Sequence, residues 1–199
     1  MNKKLDSLDA LDFLESLVLF FALNSMTQSI RKEFFAYRNG IVADGLRRAG
    51  DPHEVIMGCQ LADVISIAAH YDKNAQLAQE LWNDSKHREC RMAAPMLYPH
   101  EEMDMSTAIE WASSVESVEI ADVLCHRLLR HLPEASQLWK QLRDSDKPLV
   151  QYTAWRLLLN LLLLNKVEKN AQLRTLVEQQ LITATTPLLQ VLQSIKEEL

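Results

Sequence analysis

The segment LWNDSKHRECRMAAPML (residues 81–97) decides the fold, because it can be laid over EWASSVESVEIADVLCH (residues 110–126) with tryptophan on tryptophan and serine on serine. About 30 residues further on, RDSDKPLVQYTAWRLLL (residues 143–159) places another serine at the equivalent turn. This repeat predicts antiparallel helix pairs that bury their apolar faces against one another and stack into a solenoid with a concave side. Chance recurrence of common turn residues is the alternative interpretation.

Helical spacing extends along the rest of the chain, and no alternating strand pattern is found. Asp51-Pro52 predicts a helix start, with the aspartate as N-cap and the proline in the first turn. Pro133, Pro148 and Pro187 suit first-turn positions in the same way. The prediction is an all-α protein whose last helix breaks near Thr186-Pro187. Its ten helices are expected near residues 7–23, 28–49, 53–70, 75–84, 87–98, 104–112, 117–131, 134–143, 148–165 and 168–198.

The composition is that of a folded helical protein. Apolar residues make up 48% of the 199, and only four are glycine, so the chain can build a core without many turns. A length near 200 residues favours a single domain over 1–199. A net charge of −6 argues against a generally basic, nucleic-acid-binding surface but not against a local basic patch.

The sequence also predicts a soluble, cytoplasmic protein. The three cysteines (Cys59, Cys90 and Cys125) are widely spaced and odd in number, which is typical of free thiols in a reducing compartment. Residues 1–24 resemble a signal peptide at first, but four acidic residues interrupt them and no small-residue cleavage site follows. The apolar block at 157–164 is far shorter than the roughly 18 residues of a membrane span.

Three stretches carry a resemblance to a known family. They are MGCQLADVISIAAHY (57–71), LAQELWNDSKHRECRMAAPML (77–97) and SSVESVEIADVLCHRLL (113–129). In this order and spacing they resemble the DNA alkylation repair family, HEAT-like repeat proteins whose founding members are alkylpurine DNA glycosylases. The resemblance implies a HEAT-like solenoid with a family-like core over about 55–160, N-terminal helices within 1–50 and atypical C-terminal capping helices over 165–199.

The resemblance also places Asp122 on the family's catalytic aspartate. That carboxylate stabilises the positive charge that develops on the sugar as a cationic alkylated base leaves, a role that suits a fixed anion. Other positions differ from the family pattern. Val118 and Glu119 stand where a tryptophan-rich pair is expected, and Gln151 and Tyr152 stand where an arginine is expected. Residues 183–199 contain no counterpart of the family's late Trp-and-Arg helix.

Charge near Asp122 is mostly negative in the sequence. Residues 92–126 contain seven acids and no lysine or arginine, and such a rim would repel a duplex. The candidate residues for binding nucleic acid or a partner lie further along, and folding could bring some of them to one concave face. They are Arg127, Arg130, Arg143, Gln151, Tyr152 and Arg156. For Asp122 itself, the ordinary interpretation is a helix acid that pairs with His126 one turn later.

No cofactor or metal is predicted. His87 with Cys90, or Cys125 with His126 and His131, do not supply four zinc ligands at a recognised spacing. The four tryptophans recur near helix ends, where packing between repeats is a commoner role than base stacking.

These observations leave three functional hypotheses. The leading one is a diverged, non-catalytic member of the family, a scaffold that binds duplex DNA or else a protein through its concave face. The alternative is a working alkylpurine DNA glycosylase that uses Asp122. A protein-binding repeat module is the third, and it predicts an exposed apolar patch of more than a few hundred Å².

Overall fold

The computed structural model describes residues 5–199, with side chains from Leu14 onward except that of Glu15. Within this range the chain forms eleven α-helices, one short 3-10 turn over Leu129–His131, and no strand. The helices are α1 (Leu5–Ala36), α2 (Gly40–Arg48), α3 (Leu61–Ala68), α4 (Ala75–Asn83), α5 (Arg88–Leu97), α6 (Met105–Ser113), α7 (Val118–Arg127), α8 (Ala135–Leu142), α9 (Pro148–Leu163), α10 (Ala171–Thr183) and α11 (Leu188–Glu198). The all-α prediction is confirmed.

The helices pack in two rows. One row is continuous, since α3, α5, α7, α9 and α11 each contact the next in that order. The helices between them in sequence lie on its other side: α4 packs on α5, α8 on α9, and α10 on α11, while α6 contacts α8 and α9. This is the stacking that the sequence repeat predicts, because each pair buries its apolar face against its neighbours.

The repeated tryptophans hold two of these pairs together. The rings of Trp82 and Trp111 stack in parallel with their centroids 4.3 Å apart. Each indole N–H is used as well: Trp82 donates to Ser114 Oγ and Trp111 donates to Gln79 Oε1, both at 3.0 Å. The equivalence of these two tryptophans therefore has a structural meaning, and their role is packing.

The predicted boundaries were wrong at the N-terminal end. Two helices were expected near 7–23 and 28–49, but the break between α1 and α2 falls at residues 37–39 and not near residues 24–27. Asn39 causes it, because its side chain accepts hydrogen bonds from the backbone N–H groups of Ile41 and Val42 and so caps α2. Within the predicted helix 7–23, the side chains of residues 7–13 and of Glu15 lie outside the described ones.

The predicted helix start at Asp51-Pro52 was also wrong. Asp51 Oδ1 instead accepts the backbone N–H of His53 and lies 2.7 Å from the Nδ1 atom of that residue. The chain stays irregular through residue 60, with Val55 bridged to His87, and α3 begins only at Leu61. Long-range contacts keep residues 51–60 from forming the helix that their local sequence favours.

The remaining boundaries agree with the sequence to within about four residues. Pro148 occupies the first turn of α9, and residues 184–187 separate α10 from α11, which is the predicted break. One hydrophobic cluster joins Ile30 to Ile195 and includes the four tryptophans and three cysteines. Division into a single domain stays a prediction. No helix in the described range is long and apolar enough to cross a membrane.

Candidate functional site

Asp122 lies on α7 where this helix packs against α9. The hydroxyl group of Tyr152 donates a hydrogen bond of 2.8 Å to Asp122 Oδ1. Arg156 Nε lies 3.0 Å from the same oxygen, but its N–H is not directed at it, so this contact is an ion pair without a hydrogen bond. The predicted pairing of Asp122 with His126 was wrong, because the carboxylate turns toward α9 instead.

The environment of Asp122 opposes its ionisation. Burial raises the pKa of this carboxyl group, while the hydrogen bond from Tyr152 and the charge of Arg156 lower it and the charge of Glu119 raises it. The balance is a pKa above the ordinary value, so burial outweighs both partners. Asp122 Oδ2 has no hydrogen-bond partner within the described chain, and 36% of the side chain remains accessible.

Three predicted arginines contribute positive charge near His126, one turn beyond Asp122. The pKa of His126 is lowered first by burial and then by the positive charges of Arg130, Arg127 and Arg156, so all three cations act on this imidazole. Among the described residues, Arg127 and Arg130 have no carboxylate partner, and Arg130 instead contacts His131 Nε2 at 3.2 Å. We call Arg127, Arg130 and Arg156 the arginine group.

Arg127 of the arginine group lines a groove formed by helices α3, α5 and α7 of the continuous row. A cavity of about 330 Å³ has Ile65 of α3, Met96 of α5 and Arg127 of α7 in its wall, together with Lys73. The side chains of α3, α5 and α7 therefore share one face, with an apolar floor and cations at its edge. Sequence reasoning missed Lys73, which carries no local signal beyond its charge.

The other three predicted binding residues do not join this group. Arg143 lines a separate cavity between α8 and α10, with its guanidinium carbon 5.3 Å from the ring centre of Trp139. Gln151 donates a hydrogen bond to the backbone oxygen of Arg143. Tyr152 is only 4% exposed, so its hydroxyl group serves Asp122 rather than an external ligand.

The fold gives three of the seven acids in residues 92–126 a cationic partner. Arg88 donates two hydrogen bonds to Glu119, from Nη2 at 2.6 Å and from Nε at 2.7 Å. Glu116 lies 3.5 Å from Arg91 Nη2, and Asp122 is paired with Arg156. Glu116, Glu119 and Asp122 thus have internal cationic partners, which reduces the repulsion that the linear sequence predicts. The other four acids of the segment have no lysine or arginine partner in the described chain.

Glu89 and Arg88, which the sequence analysis did not single out, stabilise the α3 end of the continuous row. The carboxylate of Glu89 is fully buried and accepts backbone N–H groups from Met57, Gly58 and Cys59 at 2.9–3.3 Å, as well as Arg88 Nη1 at 2.9 Å. The available signal is the occurrence of adjacent charges at Arg88 and Glu89 in an otherwise apolar helix, since buried charges need partners.

Nothing in the described range gathers three or more His, Cys, Asp or Glu side chains into a metal-binding group. Cys90 and the other two cysteines are buried, and burial raises the pKa of the Cys90 thiol to about 12. Such a thiol stays protonated near neutral pH and is a poor nucleophile.

Comparison with known proteins identifies the fold and the family of the chain. A solved structure from "a new family of proteins related to the HEAT-like repeat DNA glycosylases with affinity for branched DNA structures" is similar, with a TM-score of 0.72 and 16% sequence identity. The match covers 84% of this chain and 72% of that one, and at this identity it shows the HEAT-like repeat fold alone. No curated protein matches the chain. The family model of the DNA alkylation repair enzymes matches residues 30–185, so the chain belongs to the DNA alkylation repair enzyme family.

Proposed function

We propose that this protein is a non-catalytic DNA-binding scaffold that grips backbone phosphates with the face of its continuous row. The observation that carries the proposal is the arginine group, in which Arg127 and Arg130 have no carboxylate partner among the described residues. Clustered arginines without internal partners suit phosphate oxygens, which accept paired hydrogen bonds from a guanidinium group. Lys73 extends the positive edge along the groove.

The state of Asp122 supports a non-catalytic role. A groove carboxylate that stabilises a sugar cation has to present its negative charge to that cation. Here Arg156 lies 3.0 Å from Oδ1 and offsets the charge, and burial favours the protonated form. The same contacts explain a structural role, because they join α7 to α9.

The first DNA substrate to test is branched. The solved structure that resembles this chain comes from proteins with affinity for branched DNA, and we propose the same preference here. A groove with an apolar floor between cations can hold a base that leaves the stack at a junction while the arginines hold the flanking phosphates.

Fluorescence anisotropy with a labelled four-way junction and a duplex of equal length tests this proposal. We expect the double variant Arg127→Glu/Arg130→Glu to bind the junction at least about tenfold more weakly than the wild type, with a salt-dependence slope reduced by about 2. The control is Lys32→Glu/Lys196→Glu, which makes the same change in net charge at exposed lysines on α1 and α11. Equal losses in both variants, or no binding by the wild type, would contradict the proposal.

A second candidate function is excision of alkylated bases with Asp122. The observation that favours it is the free Oδ2 atom on a partly accessible carboxylate beside the arginine group. The test is release of alkylated purines from methylated duplex DNA by the wild type and by Asp122→Asn. Release that disappears in the variant would assign catalysis to Asp122 and overturn the scaffold proposal. Absence of release from both, with enzyme in excess, supports the scaffold.

A further inference from the structure

A separate cavity lies between α8 and α10. Its volume is about 490 Å³, within the range of about 300–1,000 Å³ that is typical of small-molecule sites. Its apolar wall is formed by Trp139, Val167, Leu173 and Leu176. The DNA-alkylation-repair resemblance assigned no residue here except Arg143.

The charges that line the cavity are mostly positive. Lys140, Arg143 and Lys166 contribute three cations and Glu168 one anion, a balance of about two positive charges in a protein whose net charge is −6. Lys166 uses one of its three N–H groups on the backbone oxygen of Arg130, at 2.8 Å. Arg143 Nε is 3.2 Å from the exposed Asp144, which does not line the cavity.

Unused hydrogen-bond donors occur in the same wall. The indole Nε1 of Trp139 is buried and has no partner in the described chain, and the residue is only 4% exposed. The N-terminus of α10 also reaches the cavity, through Asn170, Gln172 and Leu173. Asn170 caps the N–H of Leu173, while those of Ala171 and Gln172 have no partner in the described chain. Free N–H groups and the positive end of the helix dipole both attract an anion.

We propose that this cavity is a binding site for a phosphomonoester of about nucleotide size. A phosphomonoester carries about 1.5 to 2 negative charges near neutral pH, which matches the charge balance of the wall. Its three oxygens can accept from Lys140, Lys166 and the N-terminus of α10, and its organic part fits against Trp139 and Leu173. The inference is independent of the proposed DNA scaffold, because it uses none of the arginine group.

Isothermal titration of the full chain with adenosine 5′-monophosphate, adenosine and inorganic phosphate tests this site. We expect the monophosphate to bind at least about tenfold more tightly than adenosine, since the phosphate supplies the charged hydrogen bonds. Inorganic phosphate should compete with it but bind more weakly. A 5′-phosphorylated oligonucleotide compared with its 5′-hydroxyl form then distinguishes a free nucleotide from the end of a nucleic-acid strand.

Substitutions at Lys140 locate the site. This side chain is exposed and makes no hydrogen bond or ion pair within the described chain, so Lys140→Glu should fold normally and weaken monophosphate binding at least about tenfold, and Lys140→Gln by a smaller factor. The control, Lys147→Glu, changes an exposed lysine outside the cavity and should leave the affinity within about twofold. No binding of the monophosphate up to about 10 mM, or unchanged binding by Lys140→Glu, would overturn the proposal.

Discussion

At the scale of single residues, Gly58 occupies a position where the neighbouring backbone leaves no room for a side chain. Its φ angle is +80°, and a Cβ atom there would lie 2.1 Å from the backbone oxygen of Asn39. We predict that Gly58→Ala destabilises the protein by at least about 2 kcal/mol, because strain at positive φ adds to a clash with backbone that cannot move aside. Urea denaturation measures this change.

Gly45 provides the matched control for that substitution. It lies inside α2, and a Cβ atom there would meet nothing within 4 Å. Gly45→Ala should therefore stabilise the protein by about 0.5–1 kcal/mol through helix propensity. Equal destabilisation by both substitutions would show that the contact with Asn39 does not decide the effect.

Asp122 gives a pH-dependent prediction at the same scale. Its pKa is raised in the folded protein, so the folded state binds this proton more tightly than the unfolded state does. The stability that Asp122 contributes is thus complete below the ordinary pKa and is lost as pH rises through the raised value. We expect the unfolding free energy of the wild type, minus that of Asp122→Asn, to fall as pH rises from about 3 through this window.

Urea denaturation across this pH range measures the difference for Asp122. Asp72→Asn serves as the control, because Asp72 is exposed and makes no hydrogen bond or ion pair in the described chain. A difference that grows with pH would mean that Arg156 and Tyr152 outweigh burial, and Asp122 would then be an ion-pair residue that stabilises the fold near neutral pH.

At the scale of elements, Glu89 determines where α3 begins. Its buried carboxylate accepts the N–H groups of residues 57–59, which keeps this segment irregular until α3 starts at Leu61. Glu89 also neutralises Arg88, which is 2% exposed. We predict that Glu89→Gln costs about 3 kcal/mol in unfolding free energy, because it leaves a buried guanidinium group and backbone donors without full compensation.

Chemical denaturation tests this prediction, with Glu80→Gln as the control. Glu80 is exposed on the neighbouring helix α4, and its substitution should change the unfolding free energy by less than about 0.5 kcal/mol. A cost for Glu89→Gln as small as that of the control would show that the carboxylate does not organise residues 57–59.

At the scale of the whole molecule, α1 presents apolar side chains that the rest of the described chain leaves uncovered. Val18 is 68% exposed, Phe20 59% and Phe21 61%. Exposed apolar side chains of this kind promote association, and the protein-binding hypothesis stays a prediction. We predict that Phe20→Ser/Phe21→Ser lowers concentration-dependent self-association in sedimentation velocity and changes the unfolding free energy by less than about 0.5 kcal/mol.

A buried phenylalanine of the same helix is the comparison for that variant. Phe34 is 0% exposed, so Phe34→Ser should destabilise the protein by about 3–5 kcal/mol. Unchanged self-association after the double substitution would show that another surface is responsible for it.

The sequence by itself determined the helical class, the repeat, the family and most helix boundaries. These features depend on neighbours within about four residues: apolar spacing, prolines in first turns, and the tryptophans that recur at equivalent positions. The boundaries it missed, at residues 37–39 and before Leu61, depend on capping by Asn39 and on Glu89, which lies about 30 residues beyond the segment it holds.

Only the tertiary structure decided the chemistry around Asp122. Its partners Tyr152 and Arg156 lie more than 29 residues away in sequence, and local helix geometry predicted His126 instead. The same holds for the arginine group and for the separate place of Arg143, because the packing of α7 and α8 against α9 and the cavity between α8 and α10 set which charges lie near one another. The physical reason is that helix formation is local, whereas neutralisation and burial of charge depend on contacts between distant segments.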